Sequence, residues 1–470
     1  MLKSRLCIAF FAFAVGCAPA QKPLTDYVNP MLGTATLWDS VDLGFKPTKR
    51  TWGAEVFPGS SLPNAMVQVS PVTKFHSGAG YQYEDSVIYG FTHTNKGHWN
   101  LCHIPLLPVT GTPTPGDYCS PFSHERESAA PGYYQVFLDR YGVDAQLSST
   151  LRCAFHKYTY PAGAAASLLA DLQRSNEHVR AWDIRKEGDN VFAGWQQTGE
   201  KMYFYAVANR PVTGIEPVVE GDREVRIVRF GEGDGALELR IGFSFVSEKN
   251  ARENLEAEML GKSFAEVRSE ATATWNDLLG RIRVEGGTER EKGLFYSSLY
   301  RSFLWPALRS DVNGEFTDAD GEVVNTGFRY YTGPSYWDDY RNKLILLGML
   351  APDVAADVIS SDTDKGEKRG GFMPTFFHGD HASAFVAGTY LRGNRGFDVN
   401  RAYNLVLRNA TVQGPSRPWL DEYIAKGYIS EMDVENPVTW TVCKAAVTKT
   451  LEYSYDDYAV ALLADALGDK

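Results

Sequence analysis

The sequence predicts a chain built in two structural parts, an antiparallel β-sandwich followed by a helical region, on three observations. From about Tyr27 to about Val246, short alternating runs are broken by Gly, Pro and Asp, the pattern of sheets packed face to face. Within this stretch Leu237, Leu239, Ile241, Phe243 and Phe245 fall on one face of a strand, as Tyr134, Val136 and Leu138 do earlier. After about Glu289 the apolar period changes from two to 3.6, and roughly six or seven helical segments follow.

Between the two parts, Ser263 and Glu266 have the spacing of a capping box, and Phe264, Val267, Ala271, Trp275 and Leu278 repeat at helical intervals behind it. This helix is read as the connector. The expected division is a leader over 1–20, a sandwich over 24–250, a helical linker over 251–288 and a helical domain over 289–470. Asn436-Pro437 reads as cap and first turn of a last helix carrying Val447, Leu451, Tyr455, Tyr458 and Leu462.

A net charge of −11 and a pI near 5.4 argue against a nucleic-acid partner, since such proteins gather Lys and Arg on one face to displace counterions. Twenty-five Tyr and ten Trp suit a carbohydrate binder, whose rings stack on sugar faces, although large cores use aromatics too. Lys3 and Arg5 before the apolar run Leu6 to Val15 form an export signal too short to span a bilayer. Ala14-Val15-Gly16-Cys17 resembles a bacterial lipoprotein box with Cys17 as the lipidated residue; Ala18-Pro19-Ala20 is a competing cleavage site. The expected location is the periplasm or outer membrane, or alternatively outside the cell.

Four further cysteines, Cys102, Cys119, Cys153 and Cys443, have no spacing that assigns pairs. His93, His98, Cys102 and His103 lie close enough for a zinc cluster to be drawn, but the segment lacks a C-x-x-C or H-x-x-x-H pair and reads as buried or hydrogen-bonded side chains. Gly231, Gly233 and Gly235 sit between strand-like runs and read as turn chemistry rather than a phosphate loop.

Six strings occur in a meaningful order: YVNPMLGT (Tyr27 to Thr34), FPGSSLPNAMVQVSP (Phe57 to Pro71), YQYEDSVIYGFTHT (Tyr81 to Thr94), FSHERESAAPGYYQV (Phe122 to Val136), FYSSLYRSFLWP (Phe295 to Pro306) and KTLEYSYDDY (Lys449 to Tyr458). The ordered set resembles glycoside hydrolase family 92, the calcium-dependent, inverting exo-α-mannosidases. The resemblance implies that the helical part belongs to an α/α toroid of six hairpins, of which about half is expected here. Trp337, Asp338 and Arg341 match the family's W-D-x-F/Y-R motif, whose Asp binds hydroxyls of the terminal mannose. A carboxylate suits that task because it accepts two hydrogen bonds, and Arg341 one turn on can hold it ionised. Asp380 and His381 in Gly379-Asp380-His381 match a family G-x-H string near the pocket. The family's catalytic acid, base and calcium ligands are implied beyond Lys470, so no catalytic or metal residue is assigned.

The carboxylates within the chain offer no evident replacement pair. Inversion needs two carboxyl groups about 6.5–9.5 Å apart across the scissile bond. Asp338 and Asp339 are consecutive and point in different directions on a helix. Glu452 and Asp456 share a helix face at roughly 5–6 Å between Cβ atoms and read as a solvated or salt-bridged pair, with Asp457 beside them.

Three departures from the family pattern bear on substrate choice, one of them a segment between Pro352 and His381 that is shorter than usual. Phe75-His76-Ser77-Gly78-Ala79-Gly80-Tyr81 stands where α-1,2-mannosidases of the family carry W-x-x-C-S-G-Y, so Phe75 takes the place of the subsite Trp. Lys96-Gly97-His98-Trp99-Asn100 replaces an L-S-G-T-G loop, with Trp99 a stacking surface or a core residue. The expectation is a chain of an exo-α-mannosidase acting on N-glycans or mannan, cut before its catalytic pair and inactive alone, with helix faces left open to self-association. The alternatives are a non-catalytic carbohydrate-binding protein and a related sugar-processing enzyme such as an α-glucosidic phosphorylase.

Overall fold

The computed structural model describes residues 22–36, 56–95, 101–233, 235–431, 435 and 444–469. The leader with Cys17, the Trp99 loop with His98, the Asn436-Pro437 cap and Cys443 lie outside the described residues. Two antiparallel sheets form the first part. One has seven strands, running from Ser60–Ser61 through Gln68–Val72, Gly90–Thr92 and Leu106–Val109 to Val212–Glu220; the other has eight, with Leu237–Ser244 between Lys201–Ala208 and Cys153–Thr159. Leu237, Leu239, Ile241 and Phe243 are buried, as are Tyr134, Val136 and Leu138. Phe91 of the first sheet meets Tyr134 at 6.5 Å and Tyr158 at 6.3 Å from the second, which places one shared core between the sheets.

Buried histidines sit within this core. His93 Nε2 lies 3.0 Å from His156 Nε2, whose ring continues through Nδ1 to the Tyr158 hydroxyl at 2.6 Å. His103 is held by Thr94 at 3.0 Å and Thr198 at 2.9 Å. Burial drives the His93 ring down to about 3 and the His103 ring to about 4, so both are neutral at physiological pH. These contacts account for the histidines as hydrogen-bonded core groups.

An acid sensitivity follows. Unfolded His103 takes up its proton near 6.5, whereas the folded ring resists it until about 4. The unfolded chain therefore binds more protons in that window, and stability present above pH 6.5 is lost as pH falls toward 4, at about 1.4 kcal/mol per unit for one proton. His103→Gln keeps partners for Thr94 and Thr198 but cannot titrate. Urea midpoints between pH 7 and pH 4 should show its stability-versus-pH slope reduced by about one proton relative to wild type.

The sandwich passes into the helices through α1 (Glu248–Glu258) and α2 (Phe264–Leu279). Both halves of the Ser263–Glu266 capping box form, and a second box, Thr288–Glu291, starts α3 (Glu289–Ser302). Trp275 of α2 is fully buried, donates from Nε1 to the Ser61 carbonyl at 2.7 Å and packs on Tyr300 of α3 at 4.3 Å. Asn64, in the left-handed region at φ 52°, bonds the Phe303, Pro306 and Leu308 backbone, and Arg152 donates to the Ser310 carbonyl at 2.7 Å. The second part is thus fastened to the first by hydrogen bonds to backbone groups at the junction.

Further helices follow: α4 (Tyr336–Asp339), α5 (Lys343–Leu350), α6 (Pro352–Lys368), α7 (Ala382–Leu391), α8 (Val399–Thr411), α9 (Leu420–Lys426) and α10 (Ala446–Leu467). With α3 this makes eight helices from Glu289 onward among the described residues, against the six or seven read from periodicity; the four-residue α4 and seven-residue α9 are too short to show a period. None of the described helices is by itself long and apolar enough to cross a membrane. Helix α10 packs on α7 and α8 with Asp456, Val460 and Leu463 on its buried side, while Tyr453 meets Tyr423 of α9 at 5.7 Å. Its other face carries the stripe read from the sequence, and it is open: Val447 is 74%, Leu451 67% and Tyr458 64% exposed.

Candidate functional site

The site grows from the junction between Gly333 and Arg341. Trp305, just after α3, donates from Nε1 to the Gly333 carbonyl at 3.1 Å and so anchors the approach to α4. Tyr336 turns inward and donates to Asp362 at 2.5 Å, which fixes the one-turn helix and leaves Trp337 and Asp338 on its outer side. The Trp337 ring faces Phe377 at 5.8 Å and His378 at 6.5 Å, and its buried Nε1 has no hydrogen-bond partner among the described residues. Asp338 is exposed. Asp339 is buried and pairs with Lys343 at 3.1 Å, so the two neighbouring carboxylates point apart as a helix requires.

Arg341 lies over the Tyr340 ring at 4.4 Å and the Trp337 ring at 5.8 Å, donates to the Trp337 carbonyl at 3.1 Å and comes within 3.6 Å of Glu452 on α10. The sequence pairs Arg341 with Asp338; the contacts above show it reaching across to a helix more than a hundred residues on.

His381 precedes α7 and is fully buried. Its ring stacks on Tyr340 at 3.8 Å, Nδ1 donates to Asp456 at 2.9 Å, and Nε2 lies 3.3 Å from Glu452. Asp456 also accepts the Asp380 backbone N–H at 2.6 Å. Of the two readings of Glu452 and Asp456, the ion pairs with Arg341 and His381 agree with the salt-bridged one, and the solvated one is corrected: Asp456 is fully buried and Glu452 only 14% exposed, because α7 and the Tyr340 turn close over that side of α10.

Behind His381 lies a buried ion pair. Asp380 accepts from Arg417 at 3.3 Å, Asn409 at 2.9 Å and Ser383 at 2.8 Å. Burial pushes its carboxyl up to about 7; Arg417 pulls it down and Asp456 raises it further. Arg417, itself fully buried, also donates to Asp457 and lies over Tyr453 at 5.2 Å. Sequence reading missed Tyr340 and Arg417 and undervalued Glu452 and Asp456; the KTLEYSYDDY string was the available signal.

Trp337, Arg341, Asp380 and His381 thus share one connected network, with Asp338 on the same turn. Phe75 is not among these contacts: its ring lies under Arg174 at 5.0 Å, edge-on to Tyr89 at 6.2 Å. Between the two parts lies a cavity of about 200 Å³, lined by Met66, Gln68, Thr94 and Leu101 from the sandwich and by Trp305 and Arg309 from the helical side. Buried Arg309 leaves Nε without a partner among the described residues.

A sandwich joined to packed helices here sets aromatic rings beside carboxylates at the junction, groups able to stack on and hydrogen-bond a sugar. The glycosyl hydrolase family 92 N-terminal domain matches residues 27–253 and the family's catalytic domain residues 250–470, and the chain belongs to this family. Among solved structures it is similar to a family GH92 α-mannosidase from Bacteroides thetaiotaomicron, with 26% identity and a TM-score of 0.84 over 95% of this chain and 63% of that one. It is also similar to a family GH92 inverting mannosidase from Bacteroides thetaiotaomicron VPI-5482, with 24% identity and a TM-score of 0.79, again over 95% of this chain and 63% of that one. A curated relative, an uncharacterized secreted glycosidase of Arthroderma benhamiae, is 24% identical over 94% of this chain and 60% of its own length. The chain spans about three fifths of the length of these relatives.

Proposed function

We propose that this chain carries the sugar-recognising part of a glycosidase acting on α-mannosides, with mannose-containing glycans as its ligands. The observation that carries the reading is the Trp337–Asp338 turn: an indole N–H with no partner among the described residues stands beside an exposed carboxylate and a stacked guanidinium. Apolar sugar faces pack on rings while vicinal hydroxyls bond a carboxylate, so both halves of pyranoside recognition are present. One of the similar α-mannosidases is described in complex with mannoimidazole, which supports this ligand class.

Recognition is proposed without turnover by this chain. Among the carboxylates of this network in the described residues, Asp380 and Asp457 are engaged by Arg417 and Asp456 by His381, so none of these three is arranged to protonate a leaving group or activate water. The calcium implied by the resemblance needs six to eight oxygen ligands. Among the described residues no group of three or more His, Cys, Asp or Glu could hold a metal ion, so the carboxylates present do not fit that site, and no step is routed through it. Export is proposed from Lys3, Arg5 and the apolar run to Val15, with Cys17 as a lipid anchor; the relative described as secreted supports export.

Calorimetric titration of methyl α-D-mannopyranoside tests the reading. Asp338→Ala should weaken binding by about 1.5–3 kcal/mol, the range for a lost hydrogen bond to a charged acceptor. Equal affinities would return Asp338 to a structural ion pair, and aryl α-mannoside release with added calcium would show that a catalytic pair exists.

A further inference from the structure

Glu452 stands at the outer end of a line of polar groups that begins in the protein interior. Asp456 uses both carboxylate oxygens, accepting His381 Nδ1–H at 2.9 Å and the Asp380 N–H at 2.6 Å. That engages Nδ1 as a donor and turns Nε2 toward Glu452, where the second proton of a ring lying between two carboxylates makes it a donor as well. Nε2 approaches Oε2 to 3.3 Å without a hydrogen-bond partner among the described residues, although the ring is fully buried. A buried ring nitrogen with no partner needs a reason. On its outward side the carboxylate meets the Tyr340 hydroxyl at 3.4 Å and the Arg341 guanidinium at 3.6 Å, next to Trp337.

We propose that Glu452 is a second sugar-binding carboxylate of this site, accepting hydroxyls of the pyranoside whose ring lies against Trp337, with His381 as its positioning residue and Asp456 fixing the His381 ring. The inference rests on the mannoside reading above and adds a residue to it. Two contacts of 3.3 and 3.4 Å and one of 3.6 Å hold the carboxylate in place without saturating it. Its lone pairs remain available to hydroxyls, while Arg341, spanning Glu452 and the Trp337 carbonyl, keeps carboxylate and stacking ring on one side of the site. The geometry also gives His381 Nε2 its role: it aims the carboxylate.

The test is titration of methyl α-D-mannopyranoside into the full chain by NMR, with thermal melts to show that each variant is folded. Glu452→Gln is isosteric at a partly exposed position and should weaken binding about tenfold to a hundredfold with the melt unchanged. His381→Ala should weaken it to a similar degree, and His381→Gln, which restores a donor toward Glu452, should recover a large part of the loss; a merely structural histidine would shift the melts without this recovery in affinity. Wild-type binding with Glu452→Gln inside twofold of it would overturn the inference and leave the mannoside reading standing. A weakened Glu452→Gln beside an unaffected His381→Ala would overturn the positioning role. Absence of binding by wild type would overturn both readings.

Discussion

Arg417→Ala should destabilise the chain by about 3–5 kcal/mol, the loss that follows when one partner of a buried ion pair is removed. Arg417 donates to Asp380 and to Asp457 from a fully buried position, and Asp380 has no exposure through which water could take the arginine's place. Two controls separate charge from packing. The double variant Arg417→Ala, Asp380→Asn removes the unpaired carboxylate and should recover about 1–3 kcal/mol, the size of coupling expected for groups in contact. The second control is pH. Asp380 already prefers its proton in the folded state, its carboxyl standing at about 7 against 3.8 when unfolded. The folded chain therefore binds more protons between those values, so this group's contribution to stability grows as pH falls through about 7 toward 4. Losing the cation strengthens that preference, and urea denaturation should find the deficit of Arg417→Ala larger at pH 8 than at pH 5. A pH-independent deficit below 1 kcal/mol would mean that the ion pair is not buried as described.

Trp275→Ala should cost a comparable amount, about 3–5 kcal/mol for a fully buried aromatic removed to Ala. The residue touches all three parts of the junction: it belongs to α2, donates to the Ser61 carbonyl on a sandwich strand, and packs on Tyr300 of α3. Ser61 is fully buried, so its carbonyl would lose a bond that water cannot replace, adding about 1 kcal/mol. Trp275→Phe retains most of the ring and forfeits the hydrogen bond, so its loss should be the smaller of the two. Because the junction couples sandwich to helices, calorimetry should show one transition in wild type and two in Trp275→Ala. A single transition with unchanged midpoint would contradict the junction's role.

The sandwich was legible because its signals are local. Alternation at Leu237 to Phe243 needs only neighbours two residues apart, and the Ser263–Glu266 box is complete within four residues, so both could be read without knowing the fold. The α10 stripe was legible as a period, and the structure shows that this periodic face is the open one. The polar centre was not legible. Glu452 and Asp456 are one turn apart, which on an isolated helix means crowding; their burial is decided by His381, about seventy residues earlier, and by Tyr340, over a hundred residues earlier. Arg417 carries no local mark at all, since its partners Asp380 and Asp457 lie on either side of it in sequence, about forty residues away in each direction. Periodicity finds faces; long-range pairing finds sites only after the chain has closed.

The central claim, that an α-mannoside binds at the Trp337 turn, is tested most directly by the indole N–H signals of ¹⁵N-labelled protein titrated with mannoimidazole, the Trp337 signal being assigned by its loss in Trp337→Phe. Trp337 Nε1 has no hydrogen-bond partner among the described residues, whereas Trp275 Nε1 is committed to Ser61. The account predicts a saturable shift of the Trp337 signal with the Trp275 signal fixed, and loss of that shift in Asp338→Ala. A Trp337 signal that stays in place at mannoimidazole concentrations shifting other residues would put the sugar elsewhere and contradict the account.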